Sequence, residues 1–139
     1  MRFVVDSNVL VGGFDANDGS WAICGPIVER IVRGEITGVN PAIVLAETIC
    51  ALRRRAGESL AREVFAEITS WPSLAWLDMT LETAREACDL GIRTGLRGAD
   101  AIVLRAAEWL GIPLLTLDRE IREKAPPGVR VVDPAELTA

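Results

Sequence analysis

Short apolar runs alternate along the chain with longer stretches of helical periodicity. Residues 2–5 (RFVV) form an apolar run that stops at Asp6, the signature of a buried strand. Residues 9–19 carry Gly12, Gly13, Asn17, Asp18 and Gly19, which predicts a loop. A helix is expected over about 20–33, closing near Gly34, followed by a strand at Ile36–Val39. Pro41 sits where a first helical turn tolerates proline, and the helix it opens runs to about Arg55. Gly57 interrupts it, and a further amphipathic helix covers about 58–69. Trp71-Pro72 marks a turn before a third strand, Leu74–Leu77. Helices at about 80–94 and 98–110 are separated by Gly95 and Gly98. Gly111 and Pro113 lead into a fourth strand, Leu114–Leu117, then a helical turn near 119–124. Pro126-Pro127-Gly128 precedes a last strand, Val129–Val132. Such alternation predicts an α/β fold: a mostly parallel sheet of about five short strands with helices on both faces. No repeat or linker divides the chain, so residues 1–139 read as one domain.

Composition narrows the chemistry. Half of the 139 residues are apolar, enough for a packed core, and there is no histidine. That absence excludes Ser-His-Asp and Cys-His catalysis, histidine-ligated zinc and a histidine proton switch. The three cysteines, Cys24, Cys50 and Cys88, form no C-x-x-C pair, and Cys50 and Cys88 are expected to be small core residues. Asp6 breaks the first apolar run, and the run 42–46 ends at Glu47, far short of the roughly 18 residues of a membrane span. A reduced, cytoplasmic protein is the expectation. The formal charge is −5, yet 14 of the 15 basic residues are arginine, the side chain suited to forked recognition of phosphate.

Several acids stand in unusual places. Asp6, Asp78 and Asp118 each follow an apolar strand, where acids serve as turn residues but where α/β folds also bind ligands. Asp78 and Asp133 read as turn residues. Glu47 has only apolar helical neighbours three and four positions away: Ile43, Val44, Cys50 and Ala51. Asp100 shares its face with Val103, Leu104 and Ala107. Two carboxylates about 5 Å apart repel by roughly 3 kcal/mol at an effective dielectric near 20. Four converging acids therefore need cancellation, either by arginines or by Mg²⁺ or Mn²⁺, which prefer oxygen ligands. Spacing leaves both open.

Together these residues resemble a known family. Asp6-Ser7-Asn8 is similar to the opening motif of PIN-domain ribonucleases, and Leu45-Ala46-Glu47-Thr48 to the segment bearing their second acid. Gly98-Ala99-Asp100-Ala101 resembles the third motif, and Leu115-Thr116-Leu117-Asp118 the fourth. The resemblance spans essentially the whole chain, and its compactness is most like the toxin of a VapBC-type toxin–antitoxin pair. It implies a PIN-like domain and a metal-dependent endoribonuclease. Asp6, Glu47, Asp100 and Asp118 would hold one or two Mg²⁺ or Mn²⁺ ions, with Asn8 and Thr116 orienting carboxylates or the attacking water. Glu120 would replace or assist Asp118. RNA is the implied substrate, with a cognate antitoxin and a homodimer as partners, and with no membrane or organic cofactor. Arg54 and Arg97 would contact RNA phosphates, although Arg53-Arg54-Arg55 also suits a helix C-terminus. The four tryptophans, Trp21, Trp71, Trp76 and Trp109, are expected in the core or at a dimer contact.

A haloacid-dehalogenase-like phosphatase fits less well, because it needs an acid at position 8, where this chain has Asn. A phosphate-accepting receiver domain lacks its strand-end lysine. Two alternatives remain: a non-catalytic PIN-like protein that only binds a partner, and a housekeeping RNA-processing nuclease of the same fold.

Overall fold

In the computed structural model, which describes residues 1–138, strand β1 (Arg2–Val5) lies at the centre of a five-stranded sheet. The chain continues through α1 (Ser7–Phe14), α2 (Trp21–Val32), β2 (Thr37–Pro41), α3 (Ala42–Ala56), α4 (Glu58–Ile68) and β3 (Leu74–Leu77). It then forms α5 (Leu81–Thr94), α6 (Gly98–Leu110), β4 (Leu114–Leu115), α7 (Arg119–Lys124), β5 (Val131–Val132) and α8 (Ala135–Thr138). The strand order is β3-β2-β1-β4-β5, and every pair is parallel. Parallel strands need crossovers, and these are right-handed. The crossovers β1→β2→β3 and β3→β4→β5 travel in opposite directions, so their helices cover opposite faces. Burial on both faces explains why the strands read as continuous apolar runs: Val4, Val5, Leu114 and Leu115 are fully buried.

One expected loop is a helix. Residues 7–14 wind into α1 despite Gly12 and Gly13, and the irregular segment shrinks to 15–20. The glycines are packing residues here, not turn residues. A Cβ on Gly13 would collide with Val28 and come within 2.8 Å of the Cys24 carbonyl, and one on Gly12 would press on Ser20 and Cys24. The contact between α1 and α2 therefore needs bare backbone, and tertiary packing outweighs the low helix propensity of glycine.

Other boundaries shift for similar reasons. The fourth strand ends at Leu115, because the Leu117 N–H turns away to the side chain of Asn8 at 3.1 Å. The last strand begins at Val131, since Val129 closes a turn onto the Pro126 carbonyl. Cys50 and Cys88 are exposed, contrary to their expected place in the core; only Cys24 is buried. The buried stripe of α3 runs through Val44, Thr48 and Leu52, and that of α5 through Ala87 and Leu90, which leaves both cysteines outside. Trp71 packs on Phe14 with ring centroids 5.7 Å apart, and Trp76 donates to the Ile68 carbonyl at 3.3 Å. Trp21 and Trp109 lie on the surface. Among the described residues, no helix is long and apolar enough to cross a membrane.

The β1–β2 ladder has one irregular rung. Backbone pairing joins Arg2 to Thr37 and Phe3 to Gly38, but the Val5 N–H donates to Oδ1 of buried Asn40 at 2.7 Å. Asn40 Nδ2 has no partner among the described residues. A buried donor left unmatched costs about 1–3 kcal/mol.

The packing of α1 on α2 is open to direct measurement. Gly13→Ala is expected to lower the free energy of unfolding by about 1–3 kcal/mol, from overpacking against backbone that cannot yield. Gly19→Ala, whose new methyl would meet nothing within 4 Å, is expected to stay within about 0.5 kcal/mol of the parent. Denaturant midpoints of the two variants, measured side by side, check this.

Candidate active site

Chain connections leave β1 and β4 in opposite directions, so a crevice opens beyond the carboxyl ends of these neighbouring strands. Asp6 ends β1 at the mouth of that crevice. Its extended backbone makes it the N-cap of α1, with Oδ1 accepting the Ser7 N–H at 2.8 Å. Oδ2 accepts the Thr116 hydroxyl at 2.8 Å, and Asn8 Nδ2 stands 3.5 Å from the same oxygen. Asp6 is only 5 % exposed.

Thr116 uses its hydroxyl to full capacity. While donating to Asp6, Oγ1 accepts from Asn8 Nδ2 at 3.1 Å and from the Asp118 N–H at 3.1 Å. Asn8 completes the bridge by accepting the Leu117 N–H through Oδ1. Three side chains thus lock the first turn of α1 to the segment that leaves β4 and carries Asp118. Asp118 in turn caps α7, with Oδ1 accepting the N–H groups of Glu120 at 2.9 Å and Ile121 at 3.4 Å.

Glu47 and Asp100 come from helices on either side. Glu47 lies on α3, half-buried. Asp100 occupies the first turn of α6, half-buried, with Nε of Arg97 4.0 Å away. Both helices reach the site because their apolar faces pack inward. Val44, Thr48 and Leu52 anchor α3, and Val103, Leu104 and Ala107 anchor α6.

The acids are close enough to act on one another's ionisation. Burial pushes Asp6 up from 3.8 to about 6; the Thr116 and Ser7 hydrogen bonds oppose this, and the charges of Asp100 and Asp118 add to it. Glu47 is raised first by burial and then by Asp6 and Asp100, against the Ser7 hydrogen bond. Asp100 is raised by burial, Asp118 and Glu120, with Arg97 opposing. Glu120 itself is held low by Lys124, whose ammonium donates to it at 2.7 Å, so its carboxylate is already engaged. The site is oxygen-rich and under-neutralised, which suits a hard divalent cation. Among the described residues, no three acids or cysteines are yet drawn together as ligands. Asp6 and Asp118 each spend an oxygen on a helix N-terminus.

The basic candidates fall in two places. Arg97 is highly exposed beside Asp100. Arg54 is exposed near the C-terminus of α3, roughly 10 Å along the axis from Glu47. It lines a groove between α3 and α4 with Arg53, Arg62 and Phe65, whereas Arg55 pairs with Asp18 at 3.0 Å and Arg93 with Asp89 at 3.1 Å. Ser7 and Asn40 were not singled out by sequence reasoning. Ser7 lies within the Asp6-Ser7-Asn8 motif. Asn40 falls just past the expected strand Ile36–Val39, whereas the observed β2 runs Thr37–Pro41 and includes it.

A family model for the PIN domain matches residues 3–126. Among solved structures, VapC20 of Mycobacterium tuberculosis, described as a sarcin-ricin loop cleaving toxin, superposes with a TM-score of 0.77 at 19% identity; the match covers 94% of this chain and 99% of that one. FitAcB from Neisseria gonorrhoeae matches with a TM-score of 0.70 at 14% identity, over 96% of this chain and 98% of that one. VapBC2 from Rickettsia felis, bound to a promoter DNA fragment, gives a TM-score of 0.68 at 16% identity, over 96% and 98%. At these identities the likeness establishes the fold alone. No curated protein matches the chain in sequence.

Because Asp6 has a higher pKa in the folded chain than in an unfolded one, protons bind the folded state more tightly. Its contribution is most favourable below about 3.8 and is lost as pH rises through about 6, a swing of about 3 kcal/mol. In metal-free protein, Asp6→Asn is therefore expected to gain stability over the parent at pH 7.5 and to lose that advantage toward pH 4. Urea unfolding of both proteins at the two pH values isolates the effect, and parallel pH profiles would refute the assignment.

Proposed function

Because the chain belongs to the PIN-domain family, we propose that it is a metal-dependent endoribonuclease acting as the toxin of a VapBC-type toxin–antitoxin pair. The observation that carries this reading is the group of four acids at the β1–β4 crevice, whose buried member is held by Thr116 and raised to about 6. Charge held against burial and repulsion is costly unless something bound there repays it.

Asp6, Glu47, Asp100 and Asp118 are the residues that would hold one or two Mg²⁺ or Mn²⁺ ions, directly or through water. Their donors are all carboxylate oxygens, as such ions require. A divalent ion supplies Lewis acidity, making water nucleophilic at neutral pH and offsetting charge on the phosphate. The protein's own part is positioning. Thr116 fixes the Asp6 carboxylate by donating to Oδ2, and Asn8 holds the Thr116–Asp118 segment in register with α1. Asp118 keeps Oδ2 available while Oδ1 caps α7. Water adds to the phosphorus and gives up one proton, the P–O bond to the leaving oxygen breaks, and that oxygen takes up a proton in its place. Arg97 stands beside the acids and Arg54 on the flanking groove, where each would meet the RNA backbone.

The toxin assignment is supported by coverage: this chain matches VapC20, described as a cleaving toxin, and a toxin–antitoxin complex from Klebsiella pneumoniae along nearly its whole length and theirs. A cognate antitoxin bearing arginine would pair with the acids and block the crevice. We further propose that residues 1–139 act as one domain, as a homodimer, in the cytoplasm.

Purified protein is expected to cleave single-stranded or looped RNA in Mg²⁺ or Mn²⁺ and to lose that activity in EDTA. Asp6→Asn and Asp100→Asn should each lower the cleavage rate by on the order of 100-fold or more while the fold survives. Expression of the parent should arrest growth, and expression of Asp6→Asn should not. Metal-independent cleavage, or full cleavage by both variants, would overturn the site assignment.

A further inference from the structure

Asp6 and Glu47 ride on different elements, and one side chain joins those elements. Asn40 is fully buried in β2, and its Oδ1 accepts the Val5 N–H at 2.7 Å. Val5 immediately precedes Asp6. Asn40 precedes Pro41, which opens the helix carrying Glu47. On the opposite edge of β1, the Val4 and Asp6 N–H groups bond to backbone carbonyls of Pro113 and Leu115, at 3.0 and 2.9 Å. The end of β1 is therefore held by backbone on one edge and by a side chain on the other.

Strands paired through their backbones lie about 4.8 Å apart. Backbone pairing of β1 with β2 covers Arg2–Thr37 and Phe3–Gly38, and the next N–H on that edge reaches Asn40's side chain instead. The end of β1 is thus joined to β2 through a side chain that only this residue supplies. The amide of Asn40 is only half matched in the core. Its Nδ2 is buried with no partner among the described residues, a mismatch that an apolar side chain would avoid.

We propose that Asn40 is a positioning residue of the acidic site: its side-chain rung spaces and orders the ends of β1 and β2 so that Asp6 and Glu47 can share one divalent cation. This rests on the metal-dependent reading above. The oxygen of Asn40 does the work, and its unmatched NH₂ comes with the amide.

The test uses the full chain, with Mn²⁺ binding followed by calorimetry and the Val5 amide followed by hydrogen exchange. Asn40→Ala is expected to fold, to speed Val5 exchange at least about tenfold and to raise the Mn²⁺ dissociation constant at least about tenfold. Asn40→Asp keeps the acceptor and should hold Val5 protection within about threefold of the parent. Leu90→Ala, which weakens the core elsewhere, should leave Mn²⁺ binding within about twofold. Should Asn40→Ala not fold, Asn40→Ser, with its shorter reach, is read in the same way. Mn²⁺ binding by Asn40→Ala equal to that of the parent would overturn this inference alone. Loss of binding in Leu90→Ala as large as in Asn40→Ala would also overturn it, as a mere effect of stability. A parent that binds no Mn²⁺ would bring down the nuclease reading, and this one with it.

Discussion

The hydrogen bond from Thr116 to Asp6 joins parts of the chain 110 residues apart, and much of the site depends on it. It ties the end of the central strand to the segment leaving its neighbour, at the point where chain direction reverses. Through the same hydroxyl pass the contacts to Asn8 and to the Asp118 backbone. Removing one oxygen atom would release a carboxylate, a helix start and a strand end together. Such a fully used hydroxyl is stiff, because each bond restricts the geometry of the other two.

Around that bond, stability and chemistry pull against each other. Asp6, Glu47 and Asp100 are all shifted toward the protonated form, and burial is the leading cause for each. The hydrophobic core supplies what holds them there: Phe3–Val5 of β1 and both residues of β4 are buried, and α3 and α6 are anchored by apolar stripes. Strain of this kind is tolerated at functional sites because the rest of the fold over-determines the position of the groups concerned. Without the four acids the formal charge of the chain would be −1 instead of −5, so an acidic total is compatible with an RNA substrate.

Much of the fold was legible in the pattern of residues, for physical reasons that differ by element. Short unbroken apolar runs mark strands, so Arg2–Val5, buried at the sheet centre, and Leu74–Leu77, at its partly exposed edge, stood out with their observed limits. Helices ending at glycine with positive φ, at Gly57, Gly95 and Gly111, announced their own boundaries. α1 did not, because Gly12 and Gly13 serve a close helix contact that only the partner helix reveals. Cys50 and Cys88 were misplaced because a helix with mixed neighbours does not say which of two partly apolar faces turns inward. At the site, the four acids were candidates from their settings together with the family resemblance, whereas Asn40 meets Val5 only across the fold.

What the sequence determined by itself was the class of fold, the order of its elements and the residue types available for chemistry. Those follow from local periodicity and from composition, above all from the absence of histidine. Only the tertiary structure decided that β1 lies between β2 and β4, that Thr116 reaches Asp6, and that Asn40 replaces a rung of the ladder. These are pairings between residues 35 to 110 positions apart. No local pattern encodes them, because the energy of each depends on where the other partner is placed by the packing of the whole core.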